Sequence, residues 1–223
     1  MNVLVIGASR GLGLEFARQY RADGARVTAS ARGAAGLEAL RALGAEAIEI
    51  DVAGAANASG PGWPLAASSF HVAIYNAGVY GPRHSGLQAP TAEEFDSVMR
   101  VNVLGAMRAL QAFAADGVLA RGAKVALISS RMGSIGERRS TSGWLYRASK
   151  AALNSLLADA ALQLGARATC VSFHPGWVRT DMGGAQADLD AATSVRDMRR
   201  VIAGLTATDN GRFLNHDGSA IPW

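Results

Sequence analysis

Seven short apolar runs, 2–6, 26–30, 45–50, 71–75, 124–129, 168–174 and 211–215, alternate with stretches whose apolar residues recur at helical spacing. Runs this short read as strands buried on both faces, and such strands belong to a parallel sheet covered by helices on each side. The clearest helical stretches are 12–22, 37–43, 91–115, 146–164 and 193–205. Thr91 followed three residues later by Glu94 marks a capping-box start. The pattern predicts an α/β, doubly wound parallel sheet of about seven strands, spanning 1–223 as a single domain. One interval breaks the rhythm. Segment 54–69, rich in Ala, Gly and Ser with two prolines, reads as a shortened or irregular crossover.

The first run leads straight into Gly7-Ala8-Ser9-Arg10-Gly11-Leu12-Gly13, and the first helix opens there. Glycines at such a turn let the backbone approach a pyrophosphate, which then sits at the positive end of the helix. The spacing is GxxxGxG and not GxGxxG, so the motif points to a Rossmann-like dinucleotide site through its strand-to-helix context. At the end of the second strand, where an acidic residue would hold the free ribose hydroxyl of NAD, the chain reads Ala29-Ser30-Ala31-Arg32. Arg32 and Arg10 suit a 2′-phosphate instead, which favours NADP(H) over NAD(H).

Composition narrows the function classes. A net charge of +4 and a pI near 9.7 would permit an anionic partner, but the arginines are scattered, with no cluster beyond pairs such as Arg138-Arg139 and Arg199-Arg200. A small anionic molecule is enough, and a nucleic-acid partner is not expected. Cys170 stands alone, and His71, His84, His174 and His216 lack metal-ligand spacing, so neither an internal disulfide nor a metal is expected. The start of the chain lacks the pattern of a secretory signal, and no apolar run reaches membrane-spanning length. A cytoplasmic location with no membrane contact is the expectation.

Tyr146-Arg147-Ala148-Ser149-Lys150 begins a long helix, and the i, i+4 spacing puts Tyr146 and Lys150 on one face. A neighbouring ammonium should favour the phenolate and lower the tyrosine's pKa toward neutrality. Lys150 is one of two lysines in an arginine-dominated chain, which suggests that a compact ammonium is needed there.

GASRGLG, YNAG ending at Gly78, Val101-Asn102, ISS ending at Ser130, YRASK, and HPGWVRT from His174 to Thr180 resemble, in order, the motifs of the short-chain dehydrogenase/reductase family. The resemblance covers essentially the whole chain. SSRMGSIG, HPGWVRTDMGG and GRFLNHDG with IPW are most similar to the carbonyl-reductase-like branch that includes the C-factor and sniffer proteins. The resemblance implies a proton-transfer set of Asn102, Ser130, Tyr146 and Lys150. The interval from Ser130 to Tyr146 is longer than the family's commonest spacing, and Ser129 and Ser134 compete for the serine role. It also implies that Asp51 and Val52 meet the adenine, Asn76 and Gly78 line the cofactor cleft, and Pro175, Gly176, Val178 and Thr180 meet the nicotinamide carboxamide. Each has a plainer reading, Asp51 as a turn cap and Asn76 as a partner of backbone groups.

The reading is an NADP(H)-dependent oxidoreductase acting on a small-molecule carbonyl or alcohol, with Tyr146 as proton donor. The alternative is an NADP(H)-binding regulatory or signalling protein with secondary reductase activity. Loops 79–89, 131–145 and 182–192 should shape the substrate pocket, with Trp144, Trp177, Met132 and Met182 as apolar contributors. Helices 91–115 and 146–164 form the subunit contact of many relatives, whereas some carbonyl reductases of the family are monomers, so the oligomeric state stays open.

Overall fold

The computed structural model describes residues 1–54, 63, 65, 69–84 and 86–223. Most of the irregular crossover expected over 54–69 therefore lies outside the described residues. The elements run β1 (Asn2–Ile6), α1 (Gly11–Ala22), β2 (Arg26–Ala31), α2 (Ala34–Ala42), β3 (Glu46–Glu49), β4 (Phe70–Tyr75), α3 (Ala92–Met99), α4 (Gly105–Ala114), β5 (Leu119–Ile128), α5 (Trp144–Leu164), β6 (Ala168–His174), α6 (Ala191–Gly204) and β7 (Arg212–Asn215). All neighbouring strands pair in parallel in the order β3-β2-β1-β4-β5-β6-β7. The expected seven-stranded doubly wound sheet is present.

Strand alternation divides the core. Val3 and Val5 of β1 face Phe16, Leu40, Met198 and Ile202 of α1, α2 and α6. Leu4 and Ile6 face the other way, toward Ala109 and Phe113 of α4 and Leu153 and Leu157 of α5. Both faces are apolar because both are covered, which is why the strands read as unbroken hydrophobic runs.

The helix expected over 91–115 is two α-helices joined by a π-helical turn, Arg100–Leu104. Thr91 does begin α3 with the expected capping box: its hydroxyl accepts from Glu94 N and Glu94 accepts from Thr91 N. β5 starts earlier than the apolar pattern indicates, because its pairing with β4 already includes Phe70 with Leu119. From β1 the chain winds outward through β2 and β3 and then returns to β4 on β1's other side. That reversal opens a crevice at the carboxyl ends of β1 and β4, where doubly wound sheets bind ligands.

Candidate functional site

The glycine turn sits at this crevice, and its glycines are demanded by close approaches. Gly7 has φ +83°, and a Cβ there would lie 2.7 Å from the Ala77 backbone. A Cβ on Gly13 would strike the Gly7 carbonyl and the Asn76 side chain. Asn76 Nδ2 donates to Gly7 O at 2.7 Å, and Gly7 N donates to Ser30 Oγ at 2.9 Å, so β4 and β2 hold the turn from both sides. Leu12 anchors the start of α1 against the core. Arg10 occupies the N-cap of α1 without using its side chain as a cap. The first-turn amides of α1 therefore keep their donors for a ligand.

Arg10 and Arg32 are both exposed, one on the turn and one just past β2. The Arg10 guanidinium pairs with Asp181, from the segment after β6, an interaction the motifs do not suggest. Gly36 is also missed by motif reading. A Cβ there would come within 2.8 Å of Ser9 Cβ and 2.9 Å of Ala31 Cβ, so it lets α2 close on the glycine turn. Asp51 caps its own turn, accepting from Ala53 N at 3.1 Å, and buried Val52 offers its carbonyl to Arg108.

On the other side of the crevice, Tyr146, Lys150, Ser130 and Asn102 are all buried. Gly78 links the two halves: a Cβ there would be 3.3 Å from Lys150 Nζ and 3.5 Å from Asn102 Oδ1. Asn102 lies in the π-helical turn, accepting from Val79 N at 2.8 Å and donating to Val79 O at 2.9 Å and Ser149 Oγ at 2.8 Å. Ser149 passes the connection on to the Tyr146 carbonyl. The extra residue of the π turn sets the register that aims Asn102 inward, a device common at functional sites.

Among the three candidate serines, Ser130 is the one coupled to the Tyr146 phenol. It also N-caps a short 3-10 turn, its hydroxyl accepting from Met132 N at 3.2 Å. Ser129 instead donates to Lys150 O, and Ser134 to Pro222 O.

The electrostatics depart from the sequence expectation. Lys150 Nζ lies 5.7 Å from the Tyr146 ring centre and donates to Ile128 O at 2.9 Å. Burial therefore dominates. It pushes the Tyr146 phenol up to about 12, with Ser130 drawing it partway back, and Lys150 down to about 8.

After β6, Gly176 turns with φ +84°, Pro175 O accepts from Ser194 Oγ, and Val178 bridges to Leu189. Thr180 holds its own turn by accepting from Gly183 N, and a Cβ on Gly11 would lie 3.6 Å from its methyl. The segment thus closes over the glycine turn. The expected substrate loops also meet: Trp144 Nε1 donates to Gln88 O at 3.1 Å, Tyr80 stacks on Tyr146 with ring centres 4.7 Å apart, and the Tyr146 hydroxyl faces Met182 Sδ at 3.9 Å. Trp177, by contrast, is half exposed and donates to Gly183 O. Among the described residues no cluster of potential metal ligands forms, and no helix is long and apolar enough to cross a membrane.

A family model described as short chain dehydrogenase matches residues 1–190. The chain is 39% identical over 159 residues to the C-signal protein of Myxococcus xanthus, covering 68% of this chain and 92% of that one. It superposes on a carbonyl reductase from Pseudomonas aeruginosa PAO1 in complex with NADP with a TM-score of 0.86, at 33% identity over 100% of this chain and 99% of that one. The carbonyl reductase Sniffer of D. melanogaster gives a TM-score of 0.80 at 28% identity with the same coverage.

Proposed function

The chain belongs to the short-chain dehydrogenase/reductase family, in its carbonyl-reductase and C-factor branch, and on that basis we propose an NADP(H)-dependent reductase of carbonyl compounds using Tyr146 as proton donor. The observation that carries the proposal is the convergence of Ser130, Tyr146 and Lys150 on a glycine turn at the sheet's reversal point. The residues fit the cofactor. A Cβ at Gly7 or Gly13 would collide with Ala77 or with the Gly7 carbonyl and break the turn, the first-turn amides of α1 lack a side-chain cap, and exposed Arg10 and Arg32 would supply the cations for a 2′-phosphate. Asn76, Gly78, Asp51, Val52 and the stretch Pro175 to Thr180 would complete that site.

When bound, the nicotinamide supplies the hydride. The protein's part is positioning and proton transfer. A phenol held up to about 12 keeps its proton throughout the neutral range, as a donor to a reducing carbonyl must. Ser130 beside it can hydrogen-bond the same substrate oxygen. Lys150, brought down to about 8, can change charge near neutral pH and help restore the phenol's proton. Asn102 fixes Val79 and Ser149 around that amine. The aromatic and thioether walls at Tyr80 and Met182 keep water from the phenol.

Tyr146→Phe keeps the ring and removes the proton, so NADPH consumption with a panel of aldehydes, ketones and quinones should fall about 100-fold or more. NADPH affinity by fluorescence titration should stay nearly unchanged. Near-normal turnover in the folded variant would refute the assignment, and tight NADPH binding without turnover in the unmodified protein would favour the regulatory reading. Arg32→Asp should shift preference toward NADH. A subunit contact through α4 and α5 is also proposed, because Met107 and Leu162 are exposed beside a groove lined by Leu110, Leu156 and Leu164. Light scattering of Leu162→Glu against the unmodified protein tests it.

A further inference from the structure

The wall of the proposed substrate cleft contains a cation that proton transfer does not use. Arg83 lies with its guanidinium carbon 4.7 Å from the centre of the Tyr80 ring, and that ring stacks at 4.7 Å on Tyr146. The guanidinium is thus no farther than two such spacings from the phenol ring that faces the reacting oxygen. Met182 ties the arrangement together from the opposite loop, its sulfur facing the Tyr146 hydroxyl and its carbonyl accepting a long 3.4 Å contact from Arg83 Nη2. Among the described residues no carboxylate lies within ion-pair distance of Arg83, whereas its neighbour His84 is paired with Glu94. Stacking on an aromatic face holds a guanidinium still, and one long contact from Nη2 leaves the other N–H groups able to take a planar anion.

We propose that this protein's substrates are carbonyl compounds that carry a carboxylate, held by Arg83 within two ring spacings of the Tyr146 ring beside which the carbonyl reacts. The inference rests on the reductase reading given above. The reaction is unchanged: the carbonyl carbon gains the hydride, its oxygen gains the Tyr146 proton, and the carboxylate only binds. Arg83 is exposed, so solvent limits its contribution and the expected preference is moderate, about tenfold in kcat/KM.

The test compares matched acid and methyl-ester pairs, para-formylbenzoate and benzoylpropionate with their esters, by NADPH consumption. The unmodified protein should favour each acid about tenfold, and rising ionic strength should shrink that ratio. Arg83→Gln should bring the ratio near one, Arg83→Lys should keep part of it, and Arg83→Glu should invert it. Because each variant is read as a ratio, a general loss of folding cancels. Esters reduced as fast as acids, or an acid preference that survives in Arg83→Gln, would overturn this proposal alone. Reduction of neither member of any pair by protein that binds NADPH would bring down the reductase reading with it.

Discussion

Replacing Lys150 by methionine should make the protein more stable at neutral pH while removing its proposed activity. Burial takes this amine from an ordinary 10.5 to about 8, so at pH 7 the folded chain confines a charge that the unfolded chain keeps in water. That difference corresponds to about 3 kcal/mol against the fold. Methionine retains an unbranched apolar stem but leaves Ile128 O without the donor now 2.9 Å away, a loss of about 1 to 2 kcal/mol. The net expectation is a gain of about 1 to 2 kcal/mol at pH 7. The pH dependence carries its own sign. A cation with a depressed folded pKa penalises the fold fully below about 8, and the penalty fades as pH rises from there toward 10.5. The unmodified protein should therefore gain about 1 kcal/mol relative to Lys150→Met between pH 7 and pH 9. Urea unfolding at both pH values measures this, with NADPH titration and turnover alongside. A variant less stable at pH 7 whose pH profile parallels that of the unmodified protein would refute the reasoning.

His174 is partly buried with a buried, unpartnered Nδ1, and desolvation, with Arg131 and His216 nearby, holds its imidazole at about 4. Its neutral form favours the fold, so stability should be complete above about 6.5 and fall by up to about 3 kcal/mol as pH drops toward 4; His174→Gln should flatten that acid limb in urea unfolding. Gly7→Ala adds a strained positive φ to a 2.7 Å collision with Ala77, and thermal melting should report a loss of about 2 to 4 kcal/mol together with weakened NADPH binding. Asp181→Asn should release Arg10 and tighten NADPH several-fold, while NADH, which lacks the phosphate, should be unaffected in the same fluorescence titration. Ser130→Ala should lower turnover with little change in NADPH affinity, whereas Ser129→Ala should be the milder change in the same assay.

The strands were legible because a parallel sheet covered on both faces needs apolar residues at every position, and such runs stand out. The glycine turn was legible because positive φ at Gly7 and the approach of Gly13 to the Gly7 carbonyl admit no side chain. Asn102 was legible by its motif alone. Its inward aim depends on a π turn, and neither the apolar periodicity of 91–115 nor any local residue signals that extra register shift. Gly36, Ser30 and Ser149 were illegible for the same reason, since each serves a neighbour distant in sequence or buried by another helix.

The layering, the strand-to-helix glycine turn and the placing of Tyr146 and Lys150 on one helical face could be read from the sequence, because these follow from local periodicity and steric demand. The electrostatics came from the packed fold. The i, i+4 spacing argued for an ammonium that lowers the phenol, yet Lys150 turns to Ile128 O and burial raises Tyr146 instead. The packed fold also decided which serine meets the phenol, by engaging Ser129 and Ser134 with other carbonyls, and it brought Tyr80 and Met182 from two separate loops against Tyr146, with Arg83 over the Tyr80 ring. Desolvation and contacts across the fold depend on what surrounds a residue in space, and local sequence carries no measure of that.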